Sequence, residues 1–272
     1  MSEGSLYVHG THPEEQARLT RLNTLLNEGS IRELGARPGE RMLDVGAGLG
    51  QFARSVAKIT GATTIGVERS EEQIAEGMRQ ARSAGEENLL DLRRGDATDL
   101  PLRDEEWATF DIAHARFLLE HVPAPLEIVK GMVRAVRPGG RIVLEDDDHD
   151  ILRLWPEPPG LGEVWKAYMR TYDRAKNDPI VGRRLVQLLH EAGAKPRRCM
   201  WIFFGACAGH ADFELYVDNL ALIVEGARDA IIATGIKRED LASALVALRE
   251  WKRRPDAAFW FAMSWAEGIR PV

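Results

Sequence analysis

Residues 41–50 read Arg-Met-Leu-Asp-Val-Gly-Ala-Gly-Leu-Gly. Met42, Leu43 and Val45 form a short apolar run that suits a buried strand. Glycines then stand at alternate positions, as a chain requires where it turns sharply or lies close to a ligand. Apolar residues recur at helical spacing beyond the turn, at Leu49, Phe52, Val56 and Ile59. The stretch predicts a strand, a glycine turn and a helix whose first N–H groups suit a polar or anionic ligand.

The glycine spacing and the residue before it narrow the class of ligand. The dinucleotide pattern Gly-x-Gly-x-x-Gly would need a glycine at Gln51, whereas this chain has Gly46, Gly48 and Gly50. Asp44 places a carboxylate at the end of the strand. That charge would repel a pyrophosphate but not a ligand with an ammonium and a sulfonium. A tight strand–helix connection that binds nothing is the alternative.

Four more strand patterns follow, with helical patterns between them, at residues 63–67, 89–93, 110–115 and 141–145. Alternating strands and helices predict a doubly wound parallel sheet, whose ligands bind beyond the carboxyl ends of the strands. Glu68 closes the second strand about 20 residues after the glycine turn, where an acidic residue accepts hydrogen bonds from ribose hydroxyls. Glu68 therefore indicates a nucleoside without identifying the rest of the ligand.

The Asp-x-Gly-x-Gly-x-Gly stretch after a hydrophobic strand resembles the first motif of class I S-adenosylmethionine-dependent methyltransferases. Gly95-Asp96-Ala97 resembles the family's adenine motif. The Leu-x-His-Val run that ends at Val122 resembles a segment common in the small-molecule branch, and Arg-Pro-Gly-Gly at residues 137–140 is another recurring mark. The motifs occur in the family's order between residues 41 and 145. The likeness is closest to quinone-biosynthesis and natural-product enzymes.

The resemblance implies a Rossmann-like α/β fold: a doubly wound seven-stranded sheet, with five parallel strands, a C-terminal antiparallel pair and helical cap insertions. It implies S-adenosyl-L-methionine as the cofactor and S-adenosyl-L-homocysteine as the product. Glu68 would then bind the ribose, Asp96 the adenine amino group, and the end of the fourth strand the methionine part. The predicted cofactor-binding residues are Asp44, Gly46, Ala47, Gly48, Gly50, Glu68, Arg69, Asp96, Ala97, Ala113 and Arg116.

We expect one methyltransferase domain over residues 1–272, with an N-terminal lid at 1–35 and a cofactor-binding core at 36–150. Helical cap segments are expected at 151–180 and 207–255, and the end of the core sheet at 181–206 and 256–272. Trp201 and Trp260 lie in predicted strands and are expected in the core. Aromatic residues of the cap predict a pocket for an apolar or aromatic acceptor, lined by Trp165, Tyr168, Tyr172, Phe213 and Tyr216.

The resemblance implies methyl transfer to an oxygen, nitrogen or carbon of a small acceptor molecule. A base is needed where an oxygen or carbon acceptor must lose a proton. His121 and His149 follow the fourth and fifth strands and are candidate bases, as are His9 and His12 in the presumed lid. Tyr7 is a candidate for donating a hydrogen bond to the acceptor or orienting it.

Two other functions stay open on the sequence. An NAD-dependent oxidoreductase would share the fold and the ribose contact, but the glycine spacing, Asp44 and the Gly95-Asp96-Ala97 motif argue against it. A protein that binds S-adenosylmethionine without methylating, either a regulator or a cyclase-type enzyme, would keep the same cofactor motifs. The sequence shows no obligatory catalytic residue that would exclude it.

The 272 residues carry a net charge of −6 and no long Lys/Arg run, which argues against nucleic acid as a partner. No apolar stretch suits a membrane span and no signal peptide is visible, so we expect a cytoplasmic protein, with a homodimer left open. Cys199 and Cys207 are expected to be buried thiols. The acidic run 145–150 is expected to be a solvated loop. A metal ion or a substrate ammonium there is the alternative, and no metal site is predicted.

Overall fold

The computed structural model describes the backbone of residues 13–272 and the side chains of residues 24–272. Tyr7, His9 and His12 lie outside the described residues. The chain forms two compact units. The larger comprises residues 27–148, 180–202 and 263–272, and the smaller comprises residues 13–26, 149–179 and 203–262. The predicted cap segments 151–180 and 207–255 fall in the smaller unit, except for residue 180.

The described chain consists of helices and strands, with short 3-10 turns between some of them. The helices are α1 (Pro13–Leu34), α2 (Gln51–Thr60), α3 (Glu71–Ser83), α4 (Pro125–Ala135), α5 (Leu161–Arg170), α6 (Leu185–Glu191), α7 (Phe213–Gly226), α8 (Arg228–Ala233) and α9 (Arg238–Trp251). The strands are β1 (Met42–Val45), β2 (Thr64–Glu68), β3 (Leu90–Arg94), β4 (Phe110–Arg116), β5 (Val136–Asp147), β6 (Arg153–Trp155), β7 (Lys195–Cys207) and β8 (Ala258–Ile269).

In the larger unit, five strands form a parallel sheet in the order β3-β2-β1-β4-β5, and residues 263–269 of β8 pair antiparallel with β5. In the smaller unit, β6 pairs antiparallel with residues 258–260 of β8. β7 also pairs with β8. The Rossmann-like fold is confirmed, with eight strands within residues 13–272 rather than seven. The additional strand is β6, which at three residues is too short to give a recognisable pattern.

The sheet of the larger unit has two different faces, because side chains alternate along each strand. One face is apolar and packs against α4 and α6. Its strand residues are Leu43, Val45, Ala113, Ala115, Ile142 and Leu144. The other face carries Asp44, His114 and Glu145 on three adjacent strands, and these charged or polar side chains are equally buried. The two faces are therefore stabilised by different physical interactions.

The smaller unit contains β6, part of β7 and β8, and helices that pack on one another. α5 contacts α7, α8 and α9. Phe213 of α7 packs against Trp251 of α9 with ring centroids 5.6 Å apart, and the indole N–H of Trp251 donates to the carbonyl of Pro156. None of the helices within residues 13–272 is long and apolar enough to cross a membrane.

Two expectations about β7 and β8 are wrong. Trp201 and Trp260 are 63% and 43% exposed, so neither lies in the core. Ile202 is buried beside Trp201, and the alternation of a strand turns adjacent side chains to opposite faces. Cys199 and Cys207 are exposed rather than buried, because they share the odd-numbered side of β7 with Trp201.

Gly77 tests how closely α3 packs on the glycine turn. A Cβ at this position would lie 2.7 Å from the carbonyl oxygen of Leu49, a backbone atom that cannot rotate away. We expect Gly77→Ala to lower the midpoint of thermal unfolding, since overpacking costs roughly 1–3 kcal/mol and outweighs a helix-propensity gain of about 1 kcal/mol. Gly226→Ala is the matched control, because its methyl group would meet no atom within 4 Å. A Gly77→Ala protein as stable as the wild type would contradict this packing.

Candidate functional site

The glycine turn follows β1 with three glycines in the left-handed region: φ is 78° at Gly46, 54° at Gly48 and 66° at Gly50. Other residues would be strained in these conformations. The N–H groups of Gly46 and Ala47 both donate to the carbonyl of Val67 at 2.9 Å, which ties the turn to the end of β2. Gly50 offers α2 no side-chain cap, so a ligand can supply the acceptors for the first N–H groups of that helix.

Glu68 lies at the carboxyl end of β2, and three backbone N–H groups hold its carboxylate. Oε2 accepts from Gly48 at 3.0 Å. Oε1 accepts from Arg69 and from Ser70, both at 2.8 Å. The carboxylate is thus fixed beside the glycine turn while it keeps lone pairs for further donors. The Arg69 side chain is exposed.

Asp96 follows β3 and is exposed. Its Oδ1 accepts from the N–H of Thr98 at 2.8 Å and from the Thr98 hydroxyl at 2.6 Å. These hydrogen bonds are the main reason that the pKa of Asp96 is lowered, and the charge of Arg69 adds to the effect. Asp96 is therefore an ionised acceptor beyond the end of β3. Ala97 beside it is half-buried against the apolar core.

Asp44 lies on the polar face of the sheet, where its carboxylate is bound to His114. Oδ1 of Asp44 lies 2.7 Å from Nδ1 of His114, and Nε2 of the same ring lies 2.9 Å from Oε1 of Glu145. The register explains the first contact, because Asp44 of β1 is directly opposite His114 of β4. One imidazole thus joins two carboxylates across β1, β4 and β5.

The protonation state of His114 follows from these neighbours. Burial alone would lower the pKa of His114, but the hydrogen bonds and charges of Asp44 and Glu145 outweigh it and raise the pKa to about 9. His114 is therefore an imidazolium at neutral pH, and it donates a hydrogen bond to each carboxylate. The ring of Phe52 stacks on it, with centroids 4.4 Å apart.

The same cluster reaches α1. The Ser30 hydroxyl donates to Oε2 of Glu145 at 2.5 Å. Arg116 donates to the Ser30 hydroxyl at 3.2 Å and to the side-chain oxygen of Asn27 at 2.6 Å, and its guanidinium lies 4.8 Å from the ring centroid of Phe52. Arg116, predicted to bind the cofactor, is thus engaged with α1. We call Asp44, His114, Glu145, Ser30 and Arg116 the buried polar cluster.

The structure places Ala113 differently from the other predicted cofactor residues. It lies in the middle of β4, and its side chain is fully buried in the apolar face of the sheet. A cofactor contact by Ala113 stays a prediction, and its backbone rather than its side chain would have to make it. His114 follows Ala113 directly, and the contacts of His114 with Asp44 and Glu145 were not predicted. The signal in the sequence was a histidine within a run of small and apolar strand residues.

The acidic run after Leu144 is not a solvated loop, so that expectation is wrong. β5 continues through Asp147, and Glu145, Asp146 and Asp148 are all buried. Asp148 forms two hydrogen bonds of 2.7 Å with Arg183. These three carboxylates are therefore inside the fold rather than at its surface.

Asp146 binds backbone N–H groups in the same run. Its Oδ2 accepts from Leu119 at 2.7 Å and from Leu118 at 3.2 Å, just after β4. Burial raises the pKa of Asp146 well above its ordinary value, with the charges of Glu120 and Asp147 adding to the effect. His121, a predicted base, follows this segment with its side chain 41% exposed, and its Nε2 lies 3.3 Å from Glu120.

An aromatic cluster in the smaller unit surrounds His149, another predicted base. The imidazole makes edge contacts with Trp165, Tyr168 and Tyr172 at centroid distances of 5.4–5.6 Å, and Phe261 stacks near it at 6.4 Å. The Trp165 indole N–H donates to the backbone carbonyl of His149 at 2.7 Å. Three of the five predicted pocket residues therefore surround one predicted base.

Hydroxyl groups extend from this imidazole. Nε2 of His149 lies 3.1 Å from the Tyr172 hydroxyl, which lies 3.1 Å from the Tyr168 hydroxyl. His149 and Tyr172 are buried, whereas Tyr168 is half-buried. Such a chain can pass a proton between its buried imidazole and its more exposed hydroxyl.

The other two predicted pocket residues lie outside the His149 cluster. Tyr216 stacks on Phe259 at 5.9 Å, while Phe213 is 2% exposed and packs against Trp251. An open cleft of about 840 Å³ does lie beside Phe213, but the rest of its lining includes Lys252 and Arg254. This polar surface does not contain the chemistry expected of an aromatic acceptor site.

Comparison with known proteins adds to this geometry. Residues 43–144 match the family model described as a methyltransferase domain. The chain is 32% identical over 153 residues to the 27-O-demethylrifamycin SV methyltransferase of Amycolatopsis mediterranei, which covers 56% of this chain and 53% of the relative. It is 32% identical over 127 residues to the 2-phytyl-1,4-naphtoquinone methyltransferase of Synechococcus elongatus, which covers 46% and 53%. The chain spans about half the length of these curated relatives.

A solved structure shares the fold. The geranyl diphosphate C-methyltransferase from Streptomyces coelicolor A3(2), in complex with S-adenosyl-L-homocysteine, superposes with a TM-score of 0.57 at 13% identity, covering 97% of this chain and 86% of that chain. At this identity the likeness concerns the fold. The matching domain at residues 43–144, the relatives and the glycine turn support a class I S-adenosylmethionine-dependent methyltransferase of the small-molecule branch, with S-adenosylmethionine as the cofactor.

Proposed function

We propose that the chain transfers the methyl group of S-adenosylmethionine to an oxygen or nitrogen of a small aromatic acceptor. The observation that carries this proposal is the aromatic cluster around His149, in which an imidazole and two phenolic hydroxyls form one hydrogen-bonded chain. A surface of rings with a few polar groups suits a ligand that has a ring and a protic substituent. The relatives named for a rifamycin, methylated on oxygen, and for a naphthoquinone support a ring-bearing small molecule as the acceptor.

We assign cofactor binding to the larger unit. The carboxylate of Glu68 suits the ribose hydroxyls and that of Asp96 the adenine amino group, because hydrogen bonds hold the first at the carboxyl end of β2 and the second just beyond the end of the adjacent β3. The glycines keep the turn free of side chains where the ligand approaches. Asp44 is assigned to the cationic end of the cofactor. Bound there, the cofactor supplies an activated methyl group on a sulfonium.

We assign acceptor binding to the smaller unit, with His149 as the base. The surrounding rings orient an aromatic acceptor and exclude water from its protic group. His149 is a better candidate than His121, because its Nε2 already contacts a hydroxyl chain that leads to the half-buried Tyr168. The role suggested for Tyr7 stays a prediction, since that residue lies outside the described part of the chain.

The proton balance of this proposal is simple. The acceptor gives its proton to the Tyr168 oxygen, Tyr168 gives its own proton to the Tyr172 oxygen, and Tyr172 gives its proton to Nε2 of His149. Both tyrosines end as they began, and the imidazole becomes an imidazolium. The acceptor atom keeps the electron pair that would form its new bond to the methyl carbon, while the pair of the broken carbon–sulfur bond would stay on sulfur and leave S-adenosyl-L-homocysteine.

Calorimetric titration with S-adenosyl-L-homocysteine tests the cofactor assignment. We expect binding near 1:1 for the wild type, no binding of NAD, and at least tenfold weaker binding for Glu68→Gln, because a hydrogen bond to a charged group contributes roughly 1.5–3 kcal/mol. Glu163→Gln, a substitution of an exposed carboxylate on α5, is the matched control. Failure of the folded wild type to bind S-adenosyl-L-homocysteine would contradict the assignment.

Turnover with 1-naphthol and 1-naphthylamine, followed by release of S-adenosyl-L-homocysteine, tests the acceptor class. Naphthalene is the control, because it has the same rings but no hydroxyl or amino group. We expect turnover of at least one protic probe and none of naphthalene. An enzyme that binds S-adenosyl-L-homocysteine but methylates aliphatic amines and no aromatic probe would refute the acceptor class.

Tyr172→Phe removes the middle hydroxyl of the proton path. We expect kcat to fall about 100-fold with S-adenosyl-L-homocysteine affinity unchanged, since general-base catalysis contributes roughly 10²–10⁴-fold. Thr171→Val is the matched control, because its hydroxyl donates to the Tyr168 backbone carbonyl at 2.7 Å and stays outside the path. Equal kcat values for the two variants would exclude this path.

A further inference from the structure

We infer that His114 is a positioning residue for the cofactor: it holds the Asp44 carboxylate in the orientation that receives the ammonium group of S-adenosylmethionine. The inference rests on the proposed function, which gives Asp44 this cofactor-binding role. His114 would act through Asp44, since its own ring nitrogens are both engaged with carboxylates.

The geometry leaves the Asp44 carboxylate little freedom. Oδ1 accepts a 2.7 Å hydrogen bond from a ring that is itself held at its other end by Glu145 at 2.9 Å. Phe52 covers one side of the ring, and His114 is 1% exposed. A rotation of the imidazole would break two charge-assisted hydrogen bonds in a dry environment, where such bonds are strongest. The orientation of Asp44 is thus set before any ligand binds.

Both the charge and the orientation of Asp44 depend on the positive charge of the His114 imidazolium. With both carboxylates ionised and the imidazole protonated, Asp44, His114 and Glu145 together carry one net negative charge. Asp44 places part of that charge directly before the glycine turn. If His114 were neutral or absent, the Asp44 and Glu145 carboxylates would lose the positive charge between them, because Arg116 reaches only Glu145, through Ser30. An Asp44 that is protonated or turned away cannot pair with a ligand ammonium. His114 therefore preserves both the charge and the direction of Asp44.

The hydrogen bonds of the buried polar cluster run in two directions, which we call its two arms. A variant in each arm can therefore distinguish positioning of Asp44 from stabilisation of the fold. One arm runs from His114 to Asp44 and the glycine turn. The other runs from Glu145 to the Ser30 hydroxyl of α1 at 2.5 Å. Ser30 is fully buried, so Ser30→Ala should lower stability while it leaves the Asp44–His114 hydrogen bond in place. If the cluster only stabilised the fold, loss of either arm would affect stability and ligand binding to a similar degree.

The charge on His114 also predicts how stability varies with pH. The charged groups that face it are Asp44 from β1 and Glu145 from β5, while Arg116 of β4 reaches Glu145 through Ser30. Because folding raises the pKa of His114 from 6.5 to about 9, its stabilising contribution is complete below pH 6.5 and is lost as the pH rises through 9. We expect the unfolding midpoint to fall over this interval, and to fall less in His114→Gln, when thermal melts are followed by circular dichroism.

The deciding experiment compares two ligands on two variants. S-adenosyl-L-homocysteine carries the ammonium, whereas 5′-methylthioadenosine retains the nucleoside and lacks the amino-acid end. At pH 7.5 we expect His114→Gln to bind S-adenosyl-L-homocysteine at least tenfold more weakly than the wild type, and methylthioadenosine within twofold. Ser30→Ala should bind both ligands within twofold, although its melting temperature also falls.

The possible results distinguish failure of the His114 positioning role from failure of the proposed function. If His114→Gln binds S-adenosyl-L-homocysteine like the wild type while Glu68→Gln does not, the cofactor site stands and the positioning role of His114 is refuted. If both ligands weaken equally in His114→Gln, its role is structural and the inference is also refuted. If the wild type binds neither ligand, it is the proposed function that fails.

Should His114→Gln not fold, ¹⁵N spectra of histidine-labelled wild type give the same test. The ring nitrogens of His114 should show an imidazolium at pH 7.5, with resonances that shift on addition of S-adenosyl-L-homocysteine but not of methylthioadenosine. Identical shifts with the two ligands, or a neutral ring, would refute the inference.

Discussion

The larger unit depends on one buried imidazolium that is hydrogen-bonded to a carboxylate on each side. His114 joins Asp44 of β1 to Glu145 of β5, and so spans three adjacent strands of the sheet. Burying three ionised groups is expensive unless their hydrogen bonds are complete. A row of apolar side chains would stabilise this face at least as well, as the opposite face shows with Leu43 and Ile142. Stability alone therefore does not account for the buried charges. The proposed role of Asp44 in binding the cofactor beside the glycine turn does account for them.

The acidic residues at the ends of the strands could be identified from the sequence, but the side-chain contacts between neighbouring strands could not. Asp44, Glu68 and Asp96 were identified because each comes at or just after the end of an apolar strand, a local feature. The contact between His114 and Glu145 was not predicted, because it depends on the register between strands, which one sequence does not give. The acidic run was misread for the same reason: its composition resembles a loop, yet β5 continues through it and buries most of its carboxylates.

The errors in the C-terminal half have a different origin. Trp201 and Trp260 are large and apolar, which favours burial on average, but in these strands position decides exposure, since every second side chain faces away from the core. The aromatic pocket was predicted in part, because Trp165, Tyr168 and Tyr172 recur at helical spacing and so share one side of their helical segment. Their partner His149 lies after β5 in the chain, and only the tertiary fold brings its ring against theirs.

The three carboxylates assigned to the cofactor are fixed in two ways, and the difference has a consequence. Glu68 is held by backbone N–H groups, and Asp96 by its own turn. Any sequence that keeps those backbone conformations keeps the acceptors in place. Asp44 is held by a side chain, so its orientation depends on the residue at position 114. Positions 44, 114 and 145 therefore form one energetic unit, in which loss of the central cation leaves two buried carboxylates with no positive charge between them.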